Sequence, residues 1–202
     1  MLYRTLGRTG LNVSLLSLGS GGAKLLGQTD GLTQDQQTDI VRGALDLGIN
    51  LIDTSHTYDN SETILGKALK GIPRTSYILG TKWHAETGGR PPQRSGKLSD
   101  NPQALVKSVE QSLTRLRTDH IDVMFFHGPM ASQIQEIVER FYPTMERLRD
   151  QGKIRFIGLS TRYQADPRQS SAEVALKTCP QLWDVIMLKY GILNQHSAKE
   201  IL

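Results

Sequence analysis

The chain has 202 residues, 38% of them hydrophobic and 22% charged, with a net charge of +4 and one cysteine, Cys179. That length holds one large domain or two small ones with a real core, and a single cysteine excludes a disulfide framework and a Cys-rich metal centre. The basic excess is spread along the chain, so it is weak evidence for a nucleic-acid partner and fits anionic small molecules equally well.

No run approaches the roughly 18 apolar residues of a membrane helix. The polar start "MLYRTLGRTG" lacks the apolar stretch of a secretory signal. A reducing, cytoplasmic setting with no membrane or nucleic-acid partner is expected.

In chain order, residues 3–14 read as a small hairpin turning at Gly7 to Gly10. "LLSLGSGG" (15–22) is a buried strand running into a glycine loop, and residues 33–48 form a helix capped by Thr33 and stopped by Gly48. The unit then recurs. "NLIDTS" leads to a helix at 61–71, with Asp59 and Glu62 as its capping pair, and "YILGTK" leads to a helix at 101–117 with Pro102 at its first position. "IDVMFFH" (121–127) leads to a helix at 131–152 that Pro143 kinks or breaks. "IRFIGLS" (154–160) leads to a helix at 170–179, "WDVIMLKY" (183–190) is the last strand, and "NQHSAKEIL" opens a further helix.

Near-continuously apolar strands, each followed by a helix, predict an α/β fold with a parallel sheet. No G-x-G-x-x-G fingerprint opens a helix, which favours a TIM-type (β/α)8 barrel over a doubly wound sheet. Such a barrel closes with eight strands, and about six strand–helix units are present. An arc of that size leaves two open edges and an uncovered interior. The expectation is therefore a single barrel domain over residues 1–202, of which the C-terminal part is missing.

A parallel barrel builds its active site at the C-terminal strand ends. Those ends read Ser20-Gly21, Asp53, Lys82, His127, Ser160 and Tyr190, with Tyr58 just beyond Asp53. A phenol with an ordinary pKa of about 10 is a poor proton donor or acceptor at neutral pH unless a neighbouring cation stabilises its anion. A lysine can supply that cation, a carboxylate can hold the lysine, and a histidine can hydrogen-bond a substrate oxygen. Together they form a device for protonating a carbonyl oxygen while hydride reaches the carbon. Trp83 and His84 follow Lys82 and are candidates to line the substrate pocket. A metal site drawn from His56, His84, Asp53 and His127 lacks any recognised ligand spacing. The long segment 83–101 follows the third barrel strand and carries Arg90, Arg94 and Lys97, which are candidates to admit an anionic ligand.

"LGINLIDTSHTYDNSETILGKAL", "YILGTK", "DVMFFH" and "GKIRFIGLS" resemble, in order and spacing, the aldo-keto reductases, and "YRTLGRTGLNVSLLSLG" resembles their N-terminal hairpin and first strand. "WDVIMLKYGILN" leans loosely towards the galactose-dehydrogenase-like members. The resemblance implies that Tyr58 is the general acid or base, that Lys82 and Asp53 tune it, and that His127 orients a small carbonyl or alcohol substrate. It implies NADP(H) as cofactor, touched by Gly21, Asp53 and Ser160. The chain departs from the family pattern at Thr161, where asparagine often follows the serine, and at Met187, where glutamine is common. The segments that stack on nicotinamide and grip the adenosine phosphate in the family have no counterpart here. Two other readings stand beside the reductase: a Schiff-base aldolase using Lys82, and a nucleotide-binding regulatory subunit without turnover.

Overall fold

The computed structural model describes residues 1–86, 96–196, 199 and 201. The N-terminal hairpin pairs β1 (Tyr3–Thr5) with β2 (Asn12–Ser14). It is stapled to the sheet by Asn50, whose side chain accepts from Ser14 N at 2.7 Å and donates to Asn12 O at 3.0 Å. The hairpin tip reaches the far side of the arc: Arg8 N donates to Asp184 O at 3.2 Å. A side chain at Gly7 would collide with that same carbonyl.

The remaining strands are β3 (Ser17–Gly19), β4 (Leu51–Asp53), β5 (Ile78–Trp83), β6 (Ile121–His127), β7 (Ile154–Ser160) and β8 (Val185–Met187). They form one six-stranded sheet in chain order, every pair parallel. The helices between them are α1 (Gln34–Asp46), α2 (Ser61–Ala68), α3 (Gln103–Leu116), α4 (Ile134–Arg140), α5 (Tyr142–Asp150) and α6 (Ser170–Thr178). This is the curled (β/α) arc the sequence predicts.

Local chemistry explains the helix boundaries. Thr33 and Gln36 form a reciprocal capping box at α1, and Gly48 takes a φ of +85° just past its end. The predicted long helix is two helices: α4 ends at Arg140 and α5 starts at Tyr142, with Pro143 in its first turn, where its missing N–H costs nothing. α2 departs from expectation. Its N-cap is Asn60 with no side-chain cap, and Asp59 sits at a φ of +50°. Glu62 is buried beneath the helix instead, accepting from Arg115 Nε at 2.7 Å and Thr81 Oγ1 at 2.7 Å. β8 is also shorter than predicted, so Tyr190 lies past the strand and is 61% exposed.

Two apolar layers pack outside the sheet, one under α1 and α2, the other under α3 to α6. The inner face holds Val123, Phe125 and Val185, with Leu6, Phe156 and Met187 against them. Phe125 lies between Gly80 on β5 and Gly158 on β7, and a side chain at Gly158 would strike its ring.

Candidate active site

The strand registers place the predicted residues on one rim. Asp53 pairs with Gly80, so Lys82, two residues further along β5, points inward one step higher. Lys82 pairs with Phe125, and His127 follows by the same step; His127 pairs with Ser160. Alternation therefore turns Asp53, Lys82, His127 and Ser160 towards the barrel mouth. Tyr58 joins them from the loop after β4, in a turn closed by Tyr58 N donating to Ser55 O at 3.0 Å.

Lys82 is 2% exposed and its Nζ donates to Asp53 Oδ2 at 2.5 Å and to Thr54 O at 2.8 Å. The same nitrogen lies 4.9 Å from the centroid of the Tyr58 ring. The rings of Tyr58 and His127 meet edge to face with centroids 5.8 Å apart, and the His84 ring lies 6.0 Å from that of His127. His127 Nδ1 is 3.2 Å from Ser55 Oγ. Burial pushes the Asp53 carboxyl up from its ordinary value, and the Lys82 ammonium beside it opposes that rise. Asp53 Oδ1 is buried and accepts no hydrogen bond among the described residues.

Gly21 lies under the phenol. A Cβ there would sit 2.6 Å from Tyr58 Cε2, so glycine is what admits the ring. The loop carrying Tyr58 is clamped by Gln28, in a 3-10 turn of the loop after β3, which donates to Tyr58 O at 3.3 Å and accepts from Asn60 N at 2.9 Å. Ser160 stands at the rim with its hydroxyl on Phe126 O at 3.3 Å. The Thr161 hydroxyl donates to Gln169 Oε1 at 2.7 Å, and Gln169 also donates to Lys189 O at 2.8 Å. Thr161 thus serves to tie the β7 and β8 loops together.

Trp83 is not part of this group. It is 3% exposed and packs on Phe126 and Phe141 at centroid distances of 6.1 and 5.1 Å, in the layer between sheet and helices. Since Lys82 points inward, its strand neighbour must point outward, so the expected substrate contact is corrected to a core aromatic. His84 does lie at the mouth, and its backbone N donates to His56 Nε2 at 3.3 Å. Of the expected anion-admitting residues, Arg90 and Arg94 lie outside the described residues, and Lys97 is exposed.

Sequence reasoning missed Ser55, Gln28 and a clasp between Arg162 and Glu86, whose Nη2 and Oε1 are 2.6 Å apart across the loops after β7 and β5. Ser55 had a visible signal, a small polar residue two positions past Asp53 where the strand ends. Gln28 had none, because its contacts span about thirty residues of chain.

Residues 17–202 match the model of the Aldo/keto reductase family. The chain is 36% identical over 162 residues to L-galactose dehydrogenase of Arabidopsis thaliana, covering 78% of this chain and 47% of that protein. It is 30% identical over 214 residues to the NADH-specific methylglyoxal reductase of Escherichia coli K12, covering 98% of this chain and 61% of that protein. The solved holo form of aldo-keto reductase AKR11C1 from Bacillus halodurans superposes with a TM-score of 0.75 at 29% identity, over 98% of this chain and 61% of that one. The chain spans about half the length of the first of these relatives. A matched family model over nearly the whole length, on a parallel arc with Asp53, Tyr58, Lys82 and His127 at one rim, leaves one assignment: the chain belongs to the aldo/keto reductase family.

Proposed function

We propose that the protein exchanges hydride between NADP(H) and a small carbonyl or alcohol, with Tyr58 as the acid in reduction and the base in oxidation. The observation that carries this reading is the placement of Lys82 Nζ, 2.5 Å from Asp53 Oδ2 and 4.9 Å from the Tyr58 ring centroid, with the His127 ring edge to face with the phenol at 5.8 Å.

The mouth suits the nicotinamide–ribose end of the cofactor. Gly19 and Gly22 leave open space at the end of β3, and Asp53 Oδ1 is a buried acceptor with no protein donor among the described residues, as a ribose hydroxyl requires. Ser160 stands beside them. When bound, the nicotinamide supplies or accepts the hydride. Tyr58 Oη holds the proton destined for the carbonyl oxygen and takes it back from the alcohol. Lys82, fixed by Asp53 and Thr54 O, places a positive charge where the phenolate forms. His127 orients the oxygen between itself and Tyr58.

The same geometry counts against the aldolase reading, because Lys82 Nζ is enclosed and committed to a carboxylate and a carbonyl. An intact proton-transfer set likewise favours turnover over a purely regulatory subunit. The reading is tested by fluorescence titration of the protein with NADPH and NADH. NADPH binding with the tighter affinity is expected, and binding of neither would overturn the proposal.

A further inference from the structure

Ser55 touches both groups that would meet the substrate oxygen. It is fully buried, its carbonyl accepts from Tyr58 N at 3.0 Å, and its hydroxyl lies 3.2 Å from His127 Nδ1. That hydroxyl also accepts from Thr57 N at 3.2 Å and lies 3.0 Å from Thr57 Oγ1. A serine hydroxyl has one proton and two acceptor positions. The Thr57 backbone N–H can only donate, so it fills one acceptor position. If the Thr57 hydroxyl fills the other, the single proton of Ser55 goes to His127 Nδ1. The reverse arrangement puts a proton on Nδ1 and leaves Nε2 unprotonated, so that it has no N–H to donate to a carbonyl oxygen.

We propose that Ser55 sets the tautomer of His127: its hydroxyl donates to Nδ1, so the neutral imidazole carries its proton on Nε2 and offers an N–H to the substrate oxygen. The inference rests on the reductase reading for the use of that N–H, but the tautomer itself is independent of turnover. Ser55 is thus a positioning residue, acting on His127 through one side-chain hydrogen bond and on Tyr58 through one backbone hydrogen bond. It stands two residues beyond Asp53, so one short stretch sets the carboxylate, the turn that carries the phenol, and the imidazole proton.

The test is nitrogen-15 NMR of histidine-labelled protein, with the His127 signals assigned by a His127→Asn variant and read with the ring neutral. The wild type is expected to show an unprotonated Nδ1 and a protonated Nε2. Ser55→Ala is expected to shift the tautomer ratio by about tenfold towards the Nδ1–H form, and Ser55→Thr, which keeps the hydroxyl, to restore it. A wild-type ring protonated on Nδ1 would overturn the proposal, and so would an unchanged ratio in Ser55→Ala. The wild-type spectrum alone decides the matter if Ser55→Ala does not fold. Reductase activity separates this from the broader reading: activity that survives Tyr58→Phe defeats the assigned chemistry and leaves the tautomer result standing.

Discussion

Lys82 has three ammonium protons, and the described structure accounts for two, on Asp53 Oδ2 and Thr54 O. The third is the one available to a phenolate or a ligand oxygen. Holding the ammonium there is costly, because its counter-ion is itself taken out of water. The raised pKa of Asp53 expresses that cost: burial outweighs the attraction of Lys82. The sign of the pH dependence follows. Below the ordinary value of 3.8 the carboxyl is protonated in both folded and unfolded chains and contributes nothing. As pH rises past that value the unfolded chain ionises first, so stability from this group falls until the folded carboxyl ionises too. The stability difference between wild type and Asp53→Asn, from denaturant melts across that window, should therefore shift against the wild type as pH rises. A difference independent of pH would show that Asp53 is not perturbed.

At the scale of elements, β5 explains what could and could not be read from sequence. All its residues are buried, so no polar–apolar alternation tells which face each one takes. Lys82 was legible because a lysine ending an apolar run is conspicuous; the outward turn of Trp83 was not, because both faces of the strand are covered. The helices were more legible. Thr33, Gly48 and Pro143 act through local chemistry and fell where capping and proline rules put them. Glu62 obeyed no local rule, since its partners Arg115 and Thr81 come from α3 and β5. The interior packing was equally hidden: Phe125 fits only because β5 and β7 offer glycines on either side. Gly158→Ala is expected to cost about 1–3 kcal/mol of stability by driving a methyl group into that ring, measured by chemical denaturation. A variant as stable as the wild type would show that the strands can separate to accommodate it.

Over the whole molecule, six parallel strands bring the rim residues into one place without closing a barrel among the described residues. β3 and β8 each have a single sheet neighbour there, and eightfold closure would place two more strands between them. The hairpin spans from β4 to the start of β8 at the opposite end, covering the inner apolar face below the site. The site itself is carried by the middle of this arc, on β4, β5, β6 and the loop after β4, where each strand has neighbours on both sides. That is why Asp53, Tyr58, Lys82 and His127 are set while, among the described residues, the outer edges are open. The most direct measurement is carbonyl-dependent oxidation of NADPH by the protein and by its Tyr58→Phe variant, with nucleotide binding followed in parallel. Unchanged nucleotide binding and a loss of turnover of about 10²- to 10⁴-fold are expected in the variant. Turnover by Tyr58→Phe at the wild-type rate would contradict it.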